Sequence, residues 1–368
     1  LVILFASPAT LAGRLLSTRV MVGVGLISYS AYLWHWPLFA FARIVIPSPS
    51  INLFLALAAA SLGMAWFSWR FVERPFRNRQ LFKRGQIFRF AAAAGCALAG
   101  MGGIGFQGLA SRFNAVDADL LISHKEHSRY VSARYRKLEK DDTFFRSEGK
   151  LKMLLLGDSF SKDFFNMMVE ADLFPEAEIR ARNIPARCQI YLGKENALEL
   201  IEEKNRDLCA KRVYNPDFYP SIHSLLQSAD IIVLASSWVE WSARRLPETI
   251  KNLHIPDTAR VIVIGRKNFG AVRPLNYLGL SPQEKAGMKN RVDDSHYQTN
   301  EVMRENLKKM PNVEFVDLHS LICGEASHDC PVFSPDGKLL SYDGGHLAKT
   351  GAQYIGALLK GHPVFTRE

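Results

Sequence analysis

LKMLLLGDSFSKDFFNMM, residues 151–168, is the stretch on which the interpretation of this chain turns. An apolar run ends in Gly157-Asp158-Ser159, and a helical pattern of Phe and Met follows at once. A Gly-Asp-Ser at the C-terminal end of a strand, opening a helix, places Ser159 at the sheet edge where open α/β proteins build their sites. The start of that helix also supplies backbone N–H groups able to stabilise an oxyanion. Taken alone, the same tripeptide reads as an ordinary helix cap.

Downstream, short apolar runs recur between amphipathic stretches: EIRARNI (178–184), DIIVLAS (230–236), RVIVIG (260–265) and VEFVDL (313–318). Strands alternating with helices predict βαβ units and a mainly parallel sheet. Near the C-terminus, LLSYDGGHLAKTGAQYIGALL (339–359) puts Asp343 and His346 three apart in a glycine-bearing turn before the last helix. That spacing lets the carboxylate meet the imidazole Nδ1 while Nε2 points at a serine. A serine hydroxyl is a weak nucleophile until a neighbouring base takes its proton. Asp-x-x-His alone is commonplace. Its pairing with Gly-Asp-Ser, at opposite ends of one α/β domain, is much more specific.

Upstream the composition changes. Residues 1–110 are mostly apolar, 111–150 are polar and highly charged and read as a juxtamembrane linker with some helix, and 151–368 are mixed α/β. Three stretches approach the ~20 apolar residues that a bilayer span requires: about Val20–Ile46, Ile51–Trp69 and Phe90–Leu109. The first is no signal peptide, having no small-residue cleavage site. Arg14 and Arg19 precede the first stretch, the connector PSPSIN is uncharged, and Arg70, Arg74, Arg77, Arg79, Lys83, Arg84 and Arg89 separate the second from the third, against Glu73 alone. By the positive-inside rule, everything after Ser111 then lies outside the cytoplasm. Much of the net charge of +10 therefore belongs beside apolar helices. No basic-aromatic nucleic-acid module is recognisable, so nucleic acid is not an expected partner. The N-terminal residue is Leu rather than Met, so the chain is expected to be a piece of a longer polypeptide.

Of five cysteines, Cys96 falls in the third stretch, while Cys188, Cys209, Cys323 and Cys330 fall in the α/β part. An even number in an oxidising compartment implies disulfides. The sequence-local pairing, Cys188–Cys209 with Cys323–Cys330, is favoured among the three possible. No metal site is expected.

Residues 151–368 resemble the SGNH/GDSL hydrolase superfamily through Gly157-Asp158-Ser159 and Asp343-Gly344-Gly345-His346. Residues 20–110 resemble the last helices of the integral-membrane acyltransferase family 3, through Ile27-Ser28-Tyr29-Ser30-Ala31-Tyr32-Leu33-Trp34-His35-Trp36-Pro37 and Phe71-Val72-Glu73-Arg74-Pro75-Phe76-Arg77. The resemblance implies transmembrane α-helices followed by a three-layer, flavodoxin-like α/β domain. It also implies a bacterial inner-membrane, multi-pass O-acyltransferase with its C-terminal domain in the periplasm. The implied catalytic residues are Ser159, His346 and Asp343, with Asp158, Gly157 and Trp238 in support. The implied donor is acetyl-CoA, with no bound cofactor. The implied acceptor is a polysaccharide or lipid-linked glycan such as lipopolysaccharide O-antigen or exopolysaccharide, and membrane lipids are further partners. His35, an ionisable group at membrane depth, is a candidate of the membrane module, and reads equally as an interfacial anchor. Two departures stand out. Ala235-Ser236-Ser237-Trp238 replaces the expected Gly-x-Asn-Asp, so the Asn donor of the oxyanion hole is missing, and Pro185-Ala186-Arg187-Cys188 is the nearest candidate for the second block. A membrane-tethered esterase and a catalytically inactive glycan-binding module are the rival expectations.

Overall fold

The structure is a computed structural model. It describes residues 10–46, 49–77, 84–112, 115–139, 144–325 and 327–366. Contacts divide the chain into two compact units, Leu1–Arg112 and Phe113–Glu368.

In the first unit, helices cover each of the three apolar stretches: α1 (Arg19–Val45), α2 (Ile51–Ser68) and α3 (Arg84–Arg112). Thr18 and Ser50 cap α1 and α2, each hydroxyl accepting a backbone N–H of the first turn. Past Ser68, α2 widens into a π-helical turn, Trp69–Glu73, before one further α turn. One continuous helix, Ile51–Phe76, with a mean hydropathy of 1.7, is long and apolar enough to cross a membrane. Among the described residues, that supports one span where three were expected. Arg79 and Lys83, on which part of the charge asymmetry rests, lie outside the described residues, as does part of the PSPSIN connector.

The second unit is built on a five-stranded parallel sheet. β1 (Lys152–Gly157), β2 (Glu178–Asn183), β3 (Ile231–Ala235), β4 (Arg260–Ile264) and β6 (Val313–Val316) lie in the order β2-β1-β3-β4-β6. Each coincides with one of the expected apolar runs. Side chains alternate across β1: Met153 and Leu155 join a core with Phe164, Met168 and Ile355, while Leu154 and Leu156 join a second core with Ile184, Trp238 and Met303. Both faces of the central strands are thus buried, which is why β1, β3 and β4 read as continuous apolar runs. A separate two-stranded ribbon, β5 (Lys289–Arg291) antiparallel to β7 (Asp329–Pro331), has no apolar pattern and was not foreseen.

The strand order reverses at β1. From β1 the chain crosses to β2 on one side, then returns to β3 on the other, so a crevice opens outside the carboxyl ends of β1 and β3. Ser159 is the first residue of α5 (Ser159–Glu170) at that crevice. Within 111–150, a 3-10 turn (Ala115–Leu121), α4 (His124–Ala133) and a helical turn (Tyr135–Leu138) pack on this same α/β body. A capping box of Ser123 and Glu126 starts α4. Asp117 forms a buried pair with Lys285, the Asp119 carboxylate accepts the Leu339 N–H, and the Tyr135 hydroxyl lies 2.8 Å from Ser161 Oγ.

Candidate active site

Gly157 has a steric reason to be glycine. A Cβ there would stand 1.8 Å from the Ala235 carbonyl oxygen, because β1 and β3 close on each other where the elbow begins. Asp158 follows as the N-cap of α5: Oδ1 accepts the Phe160 N–H at 2.8 Å, and Oδ2 accepts the Ser236 hydroxyl at 2.7 Å and the Ser237 N–H at 2.8 Å. The side chain thereby ties the start of α5 to the loop after β3. Burial pushes its pKa up, and the three donors work against that rise. Ser159, half-buried, comes next with its N–H in the first turn of α5.

The second half of the site is the turn before α7 (Lys349–Lys360). The Asp343 carboxylate accepts three N–H groups: from Gly345 at 2.9 Å, from the His346 backbone at 2.8 Å, and from His346 Nδ1 at 2.8 Å. Burial opposes the charge on Asp343, yet these donors hold its pKa at about 2. The same bond from Asp343 raises His346 above its ordinary value, against the effect of burial. With Nδ1–H committed to the carboxylate, Nε2 is left as the basic nitrogen. Gly344, at φ 91°, lets the turn press against the loop after β4: a Cβ there would meet the Gly270 carbonyl at 2.1 Å, and the Phe269 N–H donates to Gly344 at 2.8 Å.

The two halves are drawn together by a pair that sequence reasoning missed. Asp163 stands one helical turn beyond Ser159, so it shares that face of α5. Its Oδ2 accepts the Leu347 N–H at 3.3 Å and the Lys267 ammonium at 2.7 Å, and Lys267 also donates to the Gly345 carbonyl at 2.7 Å. The residues on either side of His346 are therefore both anchored to the helix that begins at Ser159. Lys267 further lies 3.9 Å above the Phe160 ring. No hydrogen bond joins Ser159 to His346 among the described residues, as is common where such contacts tighten only with substrate.

Residues 123–361 match the family described as "SGNH domain (fused to AT3 domains)". The chain belongs to this family. Among curated relatives, an O-acetyltransferase OatA of Staphylococcus aureus (strain NCTC 8325 / PS 47) is 32% identical over 74 residues, which are 20% of this chain and 12% of that protein. A putative O-acetyltransferase of Staphylococcus aureus (strain COL) is 35% identical over 73 residues, 19% of this chain and 12% of the relative. The chain thus spans about an eighth of the length of the curated relatives it matches. Among solved structures, the lipopolysaccharide acetyltransferase periplasmic domain of Salmonella ser. Paratyphi A is 18% identical with a TM-score of 0.39, covering 57% of this chain and 82% of that one.

The SGNH departures have visible consequences. The Ser237 N–H is taken by Asp158, and the fully buried Trp238 indole donates to the Ile264 carbonyl at 2.9 Å, so Trp238 supports the core rather than facing a ligand. The turn at Pro185-Ala186-Arg187-Cys188 is held by Gln189, whose amide donates to Ser237 O at 3.1 Å and accepts from the Val239 N–H at 3.1 Å. Disulfides join Cys188 to Cys209 and Cys323 to Cys330, the favoured pairing. His319 lies beside the second with all three ligand atoms within 4.8 Å, but the sulfurs are bonded to each other, which removes the thiolates a metal would need. His35 belongs to the other unit, where Nδ1–H donates to its own helix at Ala31 O, 3.1 Å away.

Proposed function

We propose that this chain is part of a membrane-bound O-acyltransferase that acetylates a cell-envelope polysaccharide through an acyl-serine intermediate. Ser159 Oγ attacks the acyl carbonyl carbon as its proton passes to His346 Nε2, and that proton leaves with the departing group. A sugar hydroxyl then gives its proton to Nε2 and attacks the acyl-enzyme. Oγ departs and takes the proton back. Asp343 holds the imidazole and steadies the imidazolium throughout. The Ser159 N–H, at the positive end of α5, is the donor on hand for the developing oxyanion.

The observation that carries this reading is the Asp343–His346 bond of 2.8 Å in a turn anchored to the helix that begins at Ser159. Membership of a family whose domain is fused to acyltransferase helices favours transfer to a sugar over transfer to water, and curated relatives carry the name O-acetyltransferase. Acetyl-CoA is the proposed donor on the cytoplasmic side. The proposed location is the bacterial inner membrane, multi-pass, with the Phe113–Glu368 unit in the periplasm and membrane lipids around the helices. The test is glycan O-acetylation by the full-length protein with Ser159→Ala. Acetylation is expected to vanish, and unchanged acetylation would reject the assignment. Reaction of Ser159 with a fluorophosphonate separates an active enzyme from an inert binding module. Acetate released against acetate transferred, with an acetylated glycan as donor, separates esterase from transferase.

A further inference from the structure

A cleft of about 620 Å³ lies beside the nucleophile's strand, walled by α4, the Tyr135–Leu138 turn, α5, the end of β2 and the end of α6 (Glu203–Arg212). Among the described residues, Lys125, Arg129, Arg136, Lys162, Arg182 and Arg212 line it, with the carboxylate of Glu139. Its position ties it to the site. Lys162 is one turn along α5 from Ser159, on the same side of the helix. Asn183, also in the lining, is the register partner of Gly157 across the β1–β2 ladder. The cleft thus runs along the C-terminal sheet edge towards the elbow.

Resting on the acyl-transfer reading above, we infer that this cleft binds the acceptor, and that the acceptor is an anionic glycan carrying carboxylate or phosphate groups. A neutral sugar is ordinarily gripped by aromatic faces and by carboxylate or amide acceptors for its hydroxyls. Here the described lining residues include no aromatic ring, and six of them are cationic against one carboxylate. Guanidinium groups present forked donors that match carboxylate and phosphate oxygens, while the Ser128 and Ser132 hydroxyls and the Asn183 amide offer neutral partners for sugar hydroxyls. Concentrated like charge in a concave wall also raises the local concentration of an oppositely charged ligand. A flat anionic membrane surface is the poorer match, because the cations come from several elements converging on a concavity rather than from one exposed face.

The whole chain with Ser159→Ala, which stops turnover, is placed in phosphatidylcholine discs and titrated with tetragalacturonate and with its carboxyl-reduced, neutral counterpart. The anionic form is expected to bind about tenfold tighter. The preference should disappear between about 0.1 M and about 1 M salt, as the Debye length falls from about 10 to about 3 Å. Arg129→Glu and Arg212→Glu, on separate helices, should each weaken tetragalacturonate binding about three- to tenfold, with Arg129→Lys keeping most of it. Equal binding of the two glycans, or indifference to both charge reversals, overturns the inference. Loss of glycan binding in discs containing phosphatidylglycerol assigns the cleft to lipid headgroups and overturns it as well. Charge-dependent binding by a chain whose Ser159 resists fluorophosphonate supports the cleft and overturns only the transferase reading.

Discussion

The Lys267 ammonium lies 2.7 Å from the Asp163 carboxylate, and the two side chains are 1% and 0% exposed. A buried ion pair is expensive to desolvate, so its presence beside the site asks for a reason. Here the pair joins three separate segments: α5 through Asp163, the loop after β4 through Lys267, and the His346 turn through the Leu347 N–H and the Gly345 carbonyl. Burial raises Asp163 and the nearby ammonium opposes that rise. Lys267→Met should therefore destabilise the domain by about 3–5 kcal/mol, the cost of leaving one buried charge uncompensated. Asp163→Asn in the same chain should recover much of that loss. Chemical denaturation of the single and double variants checks both. Acylation of Ser159 should stay slow even in the stabilised double variant, because the tether that aligns His346 is gone.

The Asp343–His346 bond leads to a second expectation. Asp343→Asn keeps the size of the side chain but loses the acceptor that fixes Nδ1–H, so the imidazole no longer presents a basic Nε2. A loss of about 10⁴-fold in turnover of a small ester is expected, as in serine enzymes where the same change favours the wrong tautomer. Near-normal turnover would mean that Asp343 is only a turn-former, a role that its bonds to the Gly345 and His346 backbones would also fill.

The pH dependence follows with its sign. In the proposed mechanism His346 must be neutral to accept the serine proton, and Asp343 raises its pKa above 6.5. Activity should therefore fall as pH drops through a midpoint above 6.5, and that midpoint should move down in Asp343→Asn. Stability runs differently. The raised His346 contributes stability that is full below its unfolded value of 6.5 and is lost as pH rises through the raised one. The lowered Asp343 contributes stability that is present above 3.8 and is lost as pH falls towards about 2. The pair thus supports the fold most between those two limits, and denaturation midpoints of Asp343→Asn against the parent across that range measure it.

What could be seen in advance, and what could not, follows from the range of the interactions. The central strands β1, β3 and β4 were legible because burial on both faces forces continuous apolar runs, whereas the half-buried edge strands β2 and β6 carry charged residues among the apolar ones. Ser159 was legible because glycine and a cap residue must follow such a strand at a close-packed elbow. Asp343 and His346 were visible because their bond is local, three residues apart. Asp163 and Lys267 were not, because they pair across 104 residues and no local pattern marks a buried charge. The same holds for Asp117 with Lys285, 168 residues apart, which binds part of the supposed linker to the α/β body. The two-stranded ribbon of β5 and β7 escaped notice because each strand is only three residues long, and Lys-Asn-Arg and Asp-Cys-Pro carry no apolar run. In the first unit, apolar composition located the three long helices, yet among the described residues α2 with its continuation alone meets the requirement for crossing a bilayer.

Gly157 tests the elbow without touching the chemistry. In Gly157→Ala the new methyl would stand 1.8 Å from the Ala235 carbonyl oxygen and 3.1 Å from Ser161 Cβ. Neither neighbour is the free end of a flexible chain, so β1 and β3 must part. Overpacking of this kind costs about 3 kcal/mol or more, and it should appear as a lowered denaturation midpoint. An unchanged midpoint would show that the two strands do not approach this closely.

The disulfides differ in what each encloses. Cys188 and Cys209 are 21 residues apart and tie the turn beside the site to α6, whereas Cys323 and Cys330 are only 7 apart. Chain entropy makes a cross-link worth more as the loop it closes grows, reaching about 3 kcal/mol for a loop of some fifteen residues. Replacing Cys188 and Cys209 together by Ser should therefore destabilise the Phe113–Glu368 unit by about 3 kcal/mol. It should also loosen the 185–189 turn, whose Cys188 and Gln189 carbonyls accept the Tyr214 hydroxyl at 2.7 and 3.0 Å. The corresponding change at Cys323 and Cys330 should cost less. Denaturation of the two double variants under oxidising conditions decides the order, and a larger loss at the shorter loop would show that native packing, rather than loop closure, sets the value of each bond.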